Sequence, residues 1–452
     1  MSMPTGSAGS GNGSSAEDIH APLIPAGRML PFLMVTPLFF LWAIPNNLND
    51  ILILQFMKSF NIDRSGAADL QFWFYVAYAL LAIPAGMLMR RFGYKTGIIT
   101  GLILLGTGCW MFLPAARAGQ FAFFLVAQFV IASGLSFLET GANPFIAELG
   151  DPGSSERRLN LSQAFNPLGD ITAGLIGTVF IFSGVELTVA QVSSMKAAGT
   201  YQGYLHSEIL RVVSPYMVLG TLALFWAVMI AFTRFPVLGG ERPAHGAAPV
   251  KSEHGLLLCW SFACAVFVQF LYVGAQIGTW SYFIPYVKFS TGLGEKSGGY
   301  MLTSTLAAFA IGRFSSAWLM KRFHARSMLI CYALVNVVLC MVAVALPGWF
   351  GMCCLLATSL FMSIMFPTIF ALAIKGMGDN TKTAGSILIM SLLGGALITK
   401  LMGILSVHRG GLQVAYIVPL LCYIGVALYG WLGSRHPGRQ PSAPDQLAPE
   451  LF

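Results

Sequence analysis

The sequence predicts an all-α membrane protein with twelve transmembrane helices in two halves of six. Only 10% of its 452 residues are charged and its mean hydropathy is +0.72, whereas soluble proteins have about 25% charged residues. Apolar runs long enough to cross about 30 Å of hydrocarbon follow one another along the chain. So few charges exclude a cytosolic enzyme, a secreted disulfide-rich protein and a disordered chain.

The apolar runs define the domain organisation. The predicted spans are 30–57, 67–89, 96–115, 120–148, 158–184, 211–234, 255–288, 298–320, 327–346, 348–375, 382–406 and 412–433. They divide the chain into a disordered cytoplasmic tail at 1–27, an N-terminal half at 28–234, a polar cytoplasmic linker at 235–254, a C-terminal half at 255–433 and a cytoplasmic tail at 434–452.

Basic residues predict the orientation. With the N-terminus inside, segments on the inner side carry twice as many Lys and Arg residues as segments on the outer side. The positive-inside rule then places both termini in the cytoplasm. We expect the protein to lie in the inner membrane of the cell. Topology accounts for the net charge of +8, so we expect no nucleic-acid partner. The cysteines and histidines lack metal-ligand spacing, so no metal site and no cofactor are expected.

The two halves echo each other. The sequence LMRRF at 88–92 closes the second span, and LMKRF at 319–323 closes the eighth. Pro144 in the fourth span has a looser counterpart in Pro367 in the tenth. Parallel repeats of this kind occur in transporters whose substrate site lies between the halves near mid-membrane.

Ionisable residues within the spans are functional candidates, because a charge in lipid is costly. Three acids lie well inside spans: Asp50, Glu139 and Asp170. No His lies mid-span, so a proton carrier has to be a carboxylate. Glu139 has no Lys or Arg within one helical turn, and burial favours the neutral form of a carboxyl group. A carboxyl that is charged when exposed and neutral when occluded can carry a proton. A permanently protonated structural Glu is the alternative.

Amide side chains cluster with these acids. Amides both donate and accept hydrogen bonds, which suits a polyhydroxylated ligand. Trp280 can pack against a sugar ring or serve only as packing. Arg313 can bond to a substrate or pair with an internal acid, and Lys400 can extend to the membrane surface. The candidate ligand-binding residues are Asn46, Asn47, Asn143, Gln163, Asn166, Gln276 and Trp280, with Asp170 and Arg313 as possible additions.

Several segments resemble the fucose permease branch of the major facilitator superfamily, the L-fucose:proton symporters. The stretch GMLMRRFGYK at 86–95 resembles the superfamily's loop between helices two and three, with Met89 where an Asp is common. The branch resemblance covers roughly residues 35 to 433. It rests on FFLW at 39–42, NNLNDIL at 46–52, LETGANPF at 138–145, RLNLSQAFN at 158–166, YVGAQ at 272–276, WSY at 280–282, GRF at 312–314, MSI at 362–364 and PTIF at 367–370.

The resemblance implies a major facilitator fold, with Asp50 and Glu139 as the coupling carboxylates. It assigns the sugar contacts to the amides at 46, 47, 143, 163, 166 and 276. The chain departs from the branch at Pro45, where a small residue is usual, at Asp170, an additional intramembrane acid, and at Lys400, which replaces an apolar residue or Pro. Asp170 and Lys400 could balance one another, alter coupling or shift sugar preference.

The predicted function is therefore proton-coupled uptake of L-fucose, or of galactose or glucose, by alternating access. We expect a monomer whose partners are the sugar, protons and the bilayer. Two alternatives stay open: a membrane sensor that binds sugar without transporting it, and an exporter of amphipathic compounds on the same fold. Sodium coupling through Asp50 also stays open. An enzyme is not expected, because the spans hold no set of nucleophile, His and acid.

Overall fold

The computed structural model describes residues 23–60, 62, 64–183, 187–236, 238, 260–375, 377–408 and 411–432. Within these ranges the secondary structure is helical, and ten helical stretches are long and apolar enough to cross a membrane. The predicted tails lie outside the described residues, except for 23–27 of the first. Most of the predicted linker at 235–254 lies outside them as well.

In the described residues of the N-terminal half, the chain forms nine α-helices. They are α1 Met29–Phe60, α2 Arg64–Trp110, α3 Phe112–Ala118, α4 Phe121–Glu148, α5 Ser155–Gln163, α6 Asn166–Ile176, α7 Val189–Ala197, α8 Tyr201–Leu210 and α9 Val213–Phe232. A short 3-10 turn at Pro152–Ser154 precedes α5, and a π-turn at Gly177–Ile181 ends the fifth span.

The part of the C-terminal half that the structure describes also contains nine α-helices. They are α10 Trp260–Ser281, α11 Phe283–Thr291, α12 Glu295–Leu319, α13 Ala325–Ala345, α14 Trp349–Met362, α15 Met365–Ile374, α16 Thr381–Met390, α17 Leu393–His408 and α18 Ile417–Leu432. Short 3-10 turns at Gly378–Asn380 and Leu412–Tyr416 precede α16 and α18.

The ten apolar stretches correspond to twelve spans for two reasons. The 47-residue helix α2 is interrupted at Gly93, whose φ of 84° and ψ of 165° are not helical. Glycine adopts this conformation without steric cost, so the chain reverses there and α2 supplies both the second and the third span. The remaining span, which is the eighth in chain order, is α12, a helix of 25 residues. It is less apolar because Arg313 and several Ser and Thr residues lie within it.

Proline explains two breaks within spans. Pro167 stands in the first turn of α6, directly after the break that ends α5, and Pro367 stands in the first turn of α15. Proline has no amide N–H, so the carbonyl four residues earlier loses its helical donor. The carbonyl groups of Gln163 and Ser363 therefore need other partners.

A buried arginine closes one end of the N-terminal half. The side chain of Arg158 is fully buried and donates to the carbonyl oxygens of Ile146, at 2.6 Å, and Ala147. These carbonyls belong to the last turn of α4, where helical donors run out. Arg158 also reaches the carbonyl oxygen of Leu23 at 3.3 Å, so the chain before α1 contacts this end of the bundle.

A second buried charge ties α8 to α1. Helices α7 and α8 form the insert between the fifth and sixth spans. The Glu208 side chain is 2% exposed, and its carboxylate lies 3.2 Å from Lys58 Nζ and 3.1 Å from Gln55 Nε2. Gln55 also donates to the carbonyl oxygen of Glu208 at 2.9 Å. Because the partners come from the last turns of α1, helix α8 is fixed to the end of the bundle opposite the loop at 149–154.

The extensive contacts between the two halves join segments at one end of the bundle. Helix α16 packs on α2 and α4, and α15 packs on α5. Lys375 Nζ lies 3.2 Å from Glu156 Oε1, and Asn160 Nδ2 donates to Thr368 Oγ1 at 3.1 Å. We call this the closed end; the loops at 149–154 and 320–324 lie there, as do residues 375 and 377–380.

Gly86 allows a close approach of the two halves at the closed end. A Cβ atom at this position would lie 3.1 Å from Ser386 Cβ and 3.2 Å from the carbonyl oxygen of Lys382. Only a residue without a side chain lets α2 and α16 come this near. Small residues are the usual means of close helix packing in membranes.

This contact predicts a cross-link between the halves. With Gly86→Cys and Ser386→Cys combined, the two Cβ atoms lie within a few tenths of an ångström of the range of about 3.5–4.5 Å found in disulfides. We expect oxidation to join the halves, so that cleavage at a protease site inserted into 235–254 leaves them in one band on a non-reducing gel. Each single variant controls for the native cysteines and should separate. Separation of the oxidised double variant would contradict the described closed end.

Candidate functional site

Glu139 occupies the middle of α4 and is buried. The side chain is 8% exposed, and its Oε1 accepts a hydrogen bond of 3.2 Å from the Tyr78 hydroxyl on α2. A carboxyl group held here by one neutral donor has no cation bonded to it in the described part of the chain. Such a group can exchange a proton when water reaches it.

Asn143, Gln163 and Arg313 form a continuous hydrogen-bond chain beside Glu139. Asn143 Nδ2 donates to the Glu139 carbonyl oxygen at 2.9 Å, and Gln163 Nε2 donates to Asn143 Oδ1 at 2.7 Å. Arg313 Nη1 then donates to Gln163 Oε1 at 2.9 Å. The chain runs from α4 through α5 to α12, so it crosses from one half to the other.

Arg313 also satisfies the two carbonyls that the prolines leave without helical donors. Its Nη1 donates to the Gln163 carbonyl oxygen at 2.6 Å, and its Nε donates to the Ser363 carbonyl oxygen at 2.8 Å. The guanidinium is 3% exposed and lies 4.6 Å from the centre of the Phe309 ring. One planar, multiply donating group therefore connects the break before α6 to the break before α15.

Asp170 has a partner from α1. Asn47 Nδ2 donates to Asp170 Oδ1 at 2.5 Å, and both side chains are half-buried. Lys400, which the sequence offered as a possible counter-charge for Asp170, is exposed. The partner that the structure gives the Asp170 carboxyl is Asn47, a neutral donor.

The remaining candidates are more dispersed. Asn46 is exposed and Gln276 is half-buried. Asn166 Nδ2 donates to the Phe39 carbonyl oxygen at 3.2 Å, and Trp280 Nε1 donates to Ser359 Oγ at 3.1 Å. These last two bonds tie helices together, so both residues have a structural role in this conformation. Asp50 lies in α1, but its side chain is outside the described residues.

Sequence reasoning missed several partners. Tyr78 lies in the aromatic segment FWFYVAY at 72–78, where nothing separates it from packing residues. Gln128 donates to Asn49 Oδ1 at 2.8 Å, which joins α4 to α1. Ser363 enters the site through its carbonyl oxygen. The proline four residues later was a signal for that carbonyl, since it removes the helical donor.

The fold and this network define a class of protein. Twelve spans in two halves, packed together at one end and joined through a buried polar network, are the architecture of an alternating-access membrane transporter.

Comparison with known proteins identifies the family. Residues 32–399 match the profile of the Major Facilitator Superfamily. The chain is 39% identical over 404 residues to the L-fucose-proton symporter of Escherichia coli (strain K12), covering 89% of this chain and 92% of that protein. It is 34% identical over 403 residues to a glucose/galactose transporter of Brucella abortus (strain 2308), covering 89% and 93%.

Solved structures agree. The crystal structure of FucP, a Major Facilitator Superfamily transporter in the outward conformation, superposes with a TM-score of 0.83 at 39% identity, covering 90% of this chain and all of that one. The proton:xylose symporter XylE has a TM-score of 0.64 at 13% identity, covering 89% and 95%, which shows a shared fold.

The chain therefore belongs to the Major Facilitator Superfamily, in the group that contains the L-fucose-proton symporters and the glucose/galactose transporters. The predicted fold class, twelve helices in two halves, is confirmed by these matches. The prediction that the chain is not an enzyme is confirmed as well, since its relatives are transporters.

The bond between Gln163 and Arg313 predicts energetic coupling between the halves. Gln163→Ala and Arg313→Ala should each lower the free energy of unfolding, and the pair should couple by about 0.5–3 kcal/mol, as groups in one network do. The measurement is a double-mutant cycle by denaturant titration in detergent micelles.

The control cycle pairs Arg313→Ala with Asn166→Ala. Asn166 bonds to α1 and shares no partner with Arg313, so these two effects should add within about 0.5 kcal/mol. Additive effects of Gln163→Ala and Arg313→Ala would show that the observed hydrogen bond does not stabilise the contact between the halves.

Proposed function

We propose that this protein takes up L-fucose, or a related monosaccharide such as galactose or glucose, together with a proton. The relatives that match nearly the whole chain are named as L-fucose-proton symporters and glucose/galactose transporters. Their names favour uptake over the sensor and the exporter. The single observation that carries the proposal is Glu139, whose buried carboxyl group bonds to Tyr78 and whose backbone carbonyl begins an amide network that crosses between the halves.

Glu139 supplies the coupling. Charged carboxylates resist burial, so a deprotonated Glu139 keeps its surroundings open to water. Protonation removes this cost and allows the halves to close around the site. Tyr78 holds the carboxyl in place through its hydroxyl. We propose that Asp50, four residues after Asn46 on α1, lies on the proton path.

The amides supply the sugar site. Asn143 and Gln163 are buried within the network, while Asn46, Asn47 and Gln276 are exposed or half-buried and offer donors and acceptors to sugar hydroxyls. Trp280 offers an aromatic face beside them. Opening of the closed end requires Arg313 to release the side chain and the carbonyl oxygen of Gln163.

The closed end faces the cytoplasm in our proposal, and the molecule is a monomer in the inner membrane. Lys and Arg residues concentrate in the loops at this end, which supports a cytoplasmic position by the positive-inside rule. Both termini then lie in the cytoplasm. With the halves in contact at this end, the described conformation faces outward, like that of the FucP structure.

Transport in vesicles tests the function. Purified protein in liposomes should accumulate labelled L-fucose above equilibrium when an inward proton gradient is imposed, and a protonophore should abolish the accumulation. Competition by galactose and glucose defines the sugar preference. Accumulation driven by a sodium gradient alone would refute proton coupling. Absence of uptake of all three sugars would leave the sensor or the exporter.

Glu139→Gln tests the assignment of the proton carrier. Glutamine preserves the shape and stays neutral, so we expect loss of uphill accumulation while exchange of sugar across the membrane continues. The matched control is Asp151→Asn, an exposed carboxyl at the 3-10 turn, which should accumulate sugar normally. If Glu139→Gln still accumulates sugar against a gradient and Asp170→Asn does not, the carrier is Asp170 instead.

A further inference from the structure

A cavity of about 230 Å³ lies at the closed end between the two halves. Its walls come from the start of α5, from the loop and first turn that lead into α13, and from the end of α15. The volume is below the range of about 300–1,000 Å³ of drug-sized ligand sites, so it suits a small group.

Basic side chains converge on this cavity. Arg157 on the N-terminal half faces Arg326, His324 and Lys375 on the C-terminal half. The acid in the lining is Glu156, which is neutralised by Lys375 at 3.2 Å. The two arginines therefore give the cavity a positive charge. The positive-inside rule explains basic residues near a membrane surface, but it does not gather them around one cavity from both halves.

Both arginines have N–H groups that form no hydrogen bond within the described part of the chain. Arg157 is half-buried and makes no hydrogen bond or ion pair within the described part of the chain. Arg326 uses Nε and Nη2 on the carbonyl oxygens of Gly430 and Trp431, at 2.7 and 2.8 Å. Those two bonds hold its guanidinium in position and leave Nη1 available.

The backbone adds further donors. His324 is the N-cap residue of α13, and its side chain makes no capping hydrogen bond. The amide groups of the first turn thus lack a side-chain acceptor, and a helix N-terminus favours negative charge. Arginine forks and helix N-termini both recognise phosphate oxygens.

We propose that this cavity binds a phosphate-bearing anion, either free or as a lipid headgroup, and that the bound anion holds the closed end together. Both halves contribute ligands, so the anion would lose contacts when the halves separate here. An effect on sugar uptake rests on the proposed function; binding itself does not.

Thermal unfolding of the full chain in detergent tests the site, with inorganic phosphate titrated against chloride at constant ionic strength. We expect phosphate to raise the Tm in a saturable manner. Arg157→Gln should weaken the apparent affinity by about tenfold or more, the effect of losing a charge-assisted hydrogen bond. Arg157→Glu should abolish the response. Lys321→Gln is the matched control, an exposed cation of the same loop outside the cavity lining, and should respond like the wild type.

A second arm distinguishes the source of the phosphate group. The same variants are placed in nanodiscs of phosphatidylcholine with and without phosphatidic acid. Stabilisation by phosphate indicates a free anion, and stabilisation by phosphatidic acid alone indicates a headgroup. The proposal is overturned if neither probe stabilises the wild type, or if Arg157→Gln and Arg157→Glu respond as the wild type does. These outcomes do not depend on sugar transport.

Discussion

The organisation of the central region depends on one guanidinium group. Pro167 and Pro367 each leave a buried carbonyl oxygen without its helical donor, and an unsatisfied buried carbonyl costs about 1–3 kcal/mol. Arg313 meets both carbonyls at once, one in each half. The breaks in two spans, the contact between the halves and the placement of the Gln163 side chain are thus consequences of the same interaction. The cost of each unpaired carbonyl oxygen is tolerated only because the same guanidinium group satisfies both.

This arrangement explains why a charge is tolerated within an apolar span. Arg313 lies against Phe309 and is hydrogen-bonded to backbone oxygens from both halves. A lysine could not satisfy several carbonyls in a plane. The same features make the contact reversible, since hydrogen bonds to carbonyls can pass to water or to sugar hydroxyls when the site opens.

Hydropathy and basic-residue patterns predicted the fold because the bilayer imposes length and composition on each span. They also singled out Glu139, Asp170 and Arg313, because ionisable residues stand out against lipid-facing sequence. Pairings could not be predicted in this way. The Asn47–Asp170 bond joins residues 123 positions apart, and its formation depends on how α1 and α6 pack. Tyr78 escaped notice because an aromatic residue in a span usually only packs.

The anchoring of α8 by Glu208 has a consequence for the entrance of the molecule. The insert α7–α8 is bonded to the end of α1 and so belongs mechanically to the N-terminal half. These bonds mean that any movement of the N-terminal half carries α8 along with α1. At the end of the bundle opposite the closed end, the wall formed by α1 and α8 then keeps a constant shape. The width of the opening at that end is set by the movement of the C-terminal half.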